Sequence, residues 1–185
     1  MKAPALAATL IACAAAGCAT AAARQRVPEP TYAEAANSEL VASNYRAADA
    51  LMAQFGGTPA GGPLIVATAV NIDALELSST LGRMISEQVS ARFSQRSWLM
   101  VEMKLRGSIY MRRGEGELIL TREIGEIART HQAQAVIGSY ALGASTVYVN
   151  RKIVRPGSNV VLSAHDYVLP ANQEVRTMLG RSISR

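Results

Sequence analysis

Cys18 is the residue of this chain best placed to do covalent chemistry, because of what stands in front of it. Met1-Lys2 gives a short positive start, Ala5 to Ala16 is an almost unbroken apolar run, and Ala15-Ala16-Gly17-Cys18 closes it with small side chains. A thiol there can carry diacylglycerol, and small residues before it let a peptidase reach the lipidated segment. The pattern reads as a lipoprotein signal over 1–17, with a mature chain beginning at Cys18 and bearing acyl groups such as palmitate. The run is too short for a spanning helix, which needs about 20 residues. The rival reading is a plain cleaved signal with an incidental cysteine. Ala19 stands where aspartate would hold a lipoprotein at the inner membrane, so the expected destination is the outer membrane, periplasmic face.

Beyond that thiol the chemistry is sparse. The two cysteines, Cys13 and Cys18, both lie in or at the end of the signal, which leaves the folded part without a disulfide, a thiol nucleophile or a cysteine metal site. His131 and His165 stand in no metal-ligand spacing, so no metal and no cofactor is expected. His131 falls at the edge of a helix's apolar face. His165 and Asp166 are neighbours in a strand and face opposite ways, which removes a histidine oriented by its neighbour's carboxylate. Glu115 and Glu117, one residue apart in an extended segment, would diverge for the same reason. No nucleophile signature such as G-x-S-x-G occurs. Gly56-Gly57 and Gly61-Gly62 precede a strand, whereas a phosphate-binding loop follows one. Arg83 and Glu87, four apart, read as an exposed ion pair, or else as a charged face that meets a partner. No catalytic residue is identified.

The formal charge of +5 and pI near 9.6 invite an anionic partner. Aromatic residues make up only 5%, too few for a base-stacking platform, so nucleic acid is not expected. Basic groups are dispersed at Arg24, Arg26, Arg112-Arg113, Arg151-Lys152 and Arg176 to Arg185, which reads as a solvated surface. Peptidoglycan or lipopolysaccharide phosphates remain the alternative partner for such a surface.

The elements that would position these residues follow from periodicity. Residues 18–37, Ala-rich and broken by Pro28 and Pro30, read as a flexible tether. The spacing predicts a single α/β domain over 38–170: a mixed sheet flanked by about three helices and ending in an antiparallel meander. Ser38 caps a helix to about Phe55, with Leu40, Tyr45, Ala48, Leu51, Met52 and Phe55 on one face. Pro63 to Val70 is a strand buried on both faces, and Asn71 to Leu77 is a loop. Ser79 or Thr80 caps a second helix to about Gln95, in which Leu81, Ile85, Val89 and Phe93 recur every four residues. Trp98 to Leu105 returns as a strand, completing a βαβ unit. Arg106 to Leu120 reads as a short strand or hairpin on a loop, and Thr121 opens a third helix to about Gln132. Ala135–Leu142, Thr146–Val154 and Val160–Leu169 are the meander strands. Residues 171–185 read as a basic tail, loose or ending in a frayed helix.

The segment Pro63 to Ile72 (PLIVATAVNI) with Ser79 to Gln88 (STLGRMISEQ) resembles the FlgO family of bacterial outer-membrane flagellar lipoproteins. So does Gly114 to Leu118 (GEGEL) with Leu120-Thr121-Arg122, followed by Ala133 to Tyr140 (AQAVIGSY). The match runs over about residues 45 to 170. It implies a non-enzymatic periplasmic α/β domain at the outer membrane that supports flagellar assembly or stability, and so motility, through contacts with flagellar or other envelope proteins. A homo-oligomer is left open. The family motif places Leu81-Gly82-Arg83 and Glu87 at a helix start, and Glu117 with Arg122 at the entry to the next. Gly82 would let the helix end pack closely on the strands. Ser79-Thr80 stands where Ser-Pro is usual, and Thr121 where serine is common. Similar domains occur in other envelope proteins, so a binding module for peptidoglycan or lipopolysaccharide is the alternative function.

Overall fold

Leu64 and Ile65 point to opposite sides of one strand and both are fully buried, so β1 (Leu64–Val66) must have a layer on each side. The structure, a computed structural model, describes residues 31–36, 38–56, 62–75, 77–102 and 116–180. The signal, Cys18, the tether up to residue 30 and residues 103–115 lie outside the described residues. The helices are α1 (Tyr32–Ala36), α2 (Glu39–Phe55), α3 (Thr80–Gln95), α4 (Gly116–His131) and α5 (Gln173–Gly180). With β1 stand β2 (Val70–Asn71), β3 (Gln134–Leu142), β4 (Thr146–Arg155) and β5 (Val160–Pro170).

The sheet order is β1-β3-β4-β5, with β2 also on β3. β1 and β2 run parallel to β3, and β3, β4 and β5 form the expected antiparallel meander, with a bulge at Ile153/Val154. Thr146–Val154 repeats with period two, so Val147, Val149, Arg151 and Ile153 face inward. On that side α2 and α3 pack the main core, where Leu81, Ile85, Val89 and Phe93 meet Leu51, Leu64, Val136 and Leu169. On the other side Ile124, Ile127 and Ala128 of α4 cover Ile65, Ala67 and Ala135. This is the predicted α/β domain with a mixed sheet.

Several local expectations change. The strand over 63–70 is two short strands, because the Ser86 hydroxyl of α3 donates to Ala67 O (2.9 Å) and accepts from Ala69 N (2.9 Å), taking groups a ladder would use. Of the returning strand expected over 98–105, residues 98–102 are described and make a single parallel bridge, Leu64 to Met100, held by Leu64 N to Leu99 O (2.8 Å) and Val101 N to Leu64 O (2.9 Å). Ser38 stands at the N-cap of α2 without a side-chain cap bond. α4 begins at Gly116, not Thr121, so the hairpin reading fails over 116–120. Of the two readings of the C-terminal segment, residues 173–180 take the helix, α5, and it is docked: Val175 joins the main core, and Arg176 donates to Ala171 O (2.8 Å) and Ala144 O (2.6 Å). A short helix, α1, lies inside the segment read as tether.

Candidate functional site

The motif Ser79-Thr80-Leu81-Gly82-Arg83 sits where α3 starts against the β1–β2 break. The Ser79 hydroxyl caps the helix by accepting from Gly82 N (3.1 Å). Tyr140 reaches across from β3: its hydroxyl donates to Ser79 Oγ (2.8 Å) and accepts from Ser79 N (3.2 Å). A Cβ at Gly82 would stand 2.2 Å from Ala69 O and 2.8 Å from Ser78 Oγ, so only glycine lets the helix end approach the strand this closely. That is the close packing expected of it. Arg83 turns back to Thr80 Oγ1 (3.1 Å), and the Arg83–Glu87 ion pair is not formed. Glu87 is exposed beside a small cleft lined also by Ser86 and Glu102. Glu117 and Arg122 lie within α4, whose entry is Gly116; their side chains are outside the described residues.

One turn further along α3, Ser86 also accepts from Arg151 Nη1 (3.3 Å). Arg151, expected on the solvated surface, is fully buried. It faces Gly138 across the ladder, where a Cβ would stand 2.5 Å from Arg151 Cδ. Its Nε and Nη2 have no partner among the described residues, and burial pushes the guanidinium down to about 10. Burial likewise raises the neighbouring Tyr167 phenol, whose hydroxyl donates to Asn44 Oδ1. These polar groups lock the sheet to α2 and α3. Sequence reasoning missed Arg151 and Tyr140, although both sit at inward positions of a period-two pattern.

Among the described residues, the opposite sheet face is open beyond α4. There Ile137 aligns with Lys152, Ser139 with Asn150 and Asp166, and Ala141 with Tyr148 and Val168. Tyr148, Val168 and Ile72 are 58%, 54% and 55% exposed. Two grooves of about 290 and 220 Å³ run over this face and share Ser139 and Asn150. His165 and Asp166 do diverge: the imidazole stacks on Tyr167 (6.2 Å between centroids), while Asp166 accepts from Asn150 Nδ2 (2.5 Å) on the open face. His131 is exposed at the end of α4. Among the described residues no group of three His, Cys, Asp or Glu could hold a metal ion, and no helix is long and apolar enough to cross a membrane. The two grooves are lined mostly by apolar side chains, with Asn150, Asp166 and Lys152 among them.

Residues 45–174 match the family model described as FlgO protein. No curated protein matches the chain. Among solved structures it is similar to the LpoB C-terminal domain from Salmonella enterica, at 12% identity and TM-score 0.52, over 71% of this chain and 98% of that one. It is also similar to the LpoB C-terminal domain from Escherichia coli, at 10% identity and TM-score 0.51, over 71% of this chain and 98% of that one. Identities this low show a shared fold.

Proposed function

Because this chain belongs to the FlgO family, we propose that it is a non-enzymatic outer-membrane lipoprotein of the bacterial envelope, which supports flagellar assembly or stability and so motility. Cys18 carries the lipid after cleavage of residues 1–17, and the domain faces the periplasm. Its action is contact, made through the open sheet face with flagellar or other envelope proteins. The observation that carries this reading is the family match over residues 45–174, with the small-residue run into Cys18 supporting the address. An exposed apolar patch of this kind marks a macromolecular contact more often than a solvated surface.

A charge-driven envelope-polymer module is less well supported. Of the basic groups that suggested one, Arg151 is buried in the core and Arg176 donates to backbone carbonyls; elsewhere Arg92 and Arg96 pair with Asp49, and Arg46 with Glu39. Deleting the gene in its flagellated host should reduce swimming, with rescue by the intact gene. Unchanged swimming would overturn the flagellar role. Cys18→Ser should leave the domain folded but move it out of the membrane fraction; retention after a high-salt wash would mean that something other than lipid holds it.

A further inference from the structure

Among the described strand residues, the open face carries one cation, Lys152, and one anion, Asp166, and their placement specifies an occupant. Lys152 on β4 and Asp166 on β5 sit on adjacent strands and adjacent rungs, diagonally across Asn150. Side chains on one face repeat about every 6.8 Å along a strand and about 4.8 Å across strands. We propose that this face docks a second copy of the same chain, through a two-fold axis lying in the interface at about 45° to the strands and passing by Asn150. The proposal rests on the reading that the open face makes protein contacts, and it names the first of them.

Charge selects that axis over the two simpler ones. An axis along the strands would set Lys152 against Lys152, and one across them would set Asp166 against Asp166. Both place like charges opposite each other, which costs several kcal/mol at an interface. The diagonal axis exchanges strand and rung directions, so Lys152 of each copy lies over Asp166 of the other. The mismatch between the two spacings is about 2 Å, which a lysine stem absorbs. The same operation lays Val168 on Ile137 and Tyr148 on Ser139, a large side chain against a smaller one. The strands of the two copies then cross near 90°, one of the two angles at which sheets pack face to face.

The size of the patch sets the strength. Three strands by three rungs cover about 14 by 20 Å, or roughly 300 Å², against about 800 Å² per partner in a standard interface. The dimer is therefore weak and concentration-dependent in solution. Two copies anchored in one membrane are held at high effective concentration, where a weak contact suffices.

The test uses the full chain in isolated membranes with a short bismaleimide. Ala164→Cys, close to the proposed axis, should give an adduct of twice the chain mass. The unchanged chain should give none, and neither should Leu99→Cys, which is 63% exposed next to the Met100 bridge. Adding Asp166→Lys to Ala164→Cys should cut the adduct at least fivefold, and adding Lys152→Asp as well should restore it to within twofold. That recovery cannot arise from a misfolded domain. No doubled adduct from Ala164→Cys, an adduct only of another mass, or a doubled adduct indifferent to Asp166→Lys would each overturn the second copy as occupant. Swimming of the same strains separates the two claims: adduct lost with deletion still harmful removes only the dimer, whereas a harmless deletion removes the flagellar role.

Discussion

Replacing Arg151 by methionine should stabilise the domain, although it deletes the largest fully buried side chain among the described residues. The guanidinium is held at about 10 by loss of hydration, with only partial relief from Tyr167. An ordinary arginine titrates at least two pH units higher, and each unit of difference is about 1.36 kcal/mol, so burying this charge costs about 3 kcal/mol at neutral pH. Methionine follows much of the same path past Gly138 without a charge. It loses the Ser86 contact (3.3 Å), worth about 1 kcal/mol, and its shorter chain underfills the site at a further cost of about 1 kcal/mol. Ser86 keeps its Ala67 and Ala69 partners, so no polar group is orphaned. The net expectation is a gain of about 1 kcal/mol, seen at pH 7 as a higher urea midpoint at unchanged slope.

The pH dependence gives a second handle on the same change. The folded chain gives up the Arg151 proton more readily than the unfolded chain, which binds the extra proton above pH about 10. Stability conferred by the wild-type side chain therefore rises as pH climbs past that value, and the methionine variant should lose its advantage there. A loss of 2 kcal/mol or more at pH 7, with unchanged slope, would refute the reasoning: the buried charge would then be compensated.

Gly82→Ala should cost at least 2 to 3 kcal/mol in thermal or urea unfolding, since its Cβ meets the Ala69 carbonyl at 2.2 Å. Gly125→Ala, with nothing within 4 Å of its Cβ, should instead gain up to about 1 kcal/mol, the usual helix-interior difference. Tyr140→Phe should cost about 2 kcal/mol because it leaves the buried Ser79 N–H without its acceptor, and amide exchange at the start of α3 should accelerate; unaltered exchange there would contradict the capping role. Asp49 bridges α2 to α3, and its carboxyl is held below the usual carboxylate range chiefly by the Arg92 hydrogen bond, then by Arg96. Its contribution is complete above the unfolded value near pH 4 and fades as pH falls through the lower folded value. Asp49→Asn should therefore trail wild type by about 1 kcal/mol at pH 7 and match it near pH 2; an equal gap at both would exclude the ion pair as its cause.

The long periodic elements were legible because one physical demand decided them. Leu81, Ile85, Val89 and Phe93 had to share a helix face, and all are fully buried against the sheet. The meander followed from alternation and short turns. The short strands were harder, because their limits depend on partners distant in sequence: Ser86, nineteen residues after Ala67, decides where β1 stops. α4 began earlier than its glycines suggested, because Gly116 stands at its N-terminus, where a missing Cβ costs little. Polarity leaves the C-terminal segment open between a loose tail and a frayed helix; a buried valine, flanking Met178 and Leu179, and one arginine clamp dock it as α5.

Arg151 shows where charge-based reading fails and period-based reading succeeds. Beside Lys152 it looked like one half of a surface pair, and dispersion of the basic residues argued for solvent. Alternation alone assigns the two to opposite faces: Val147, Val149 and Ile153 share a side with Arg151, while Tyr148 and Asn150 share one with Lys152. What alternation could not say is that, among the described residues, no second layer covers most of the Lys152 side. That depends on α4 covering β1 and the near end of β3 and leaving the rest of the sheet exposed. An antiparallel sheet normally turns a polar face to water, but this one turns out Tyr148 and Val168 with a Lys–Asp diagonal. The sequence pattern locates those residues on a face, and their exposure in the fold makes it the face proposed above for contact. The proposed contact role needs no more chemistry than that.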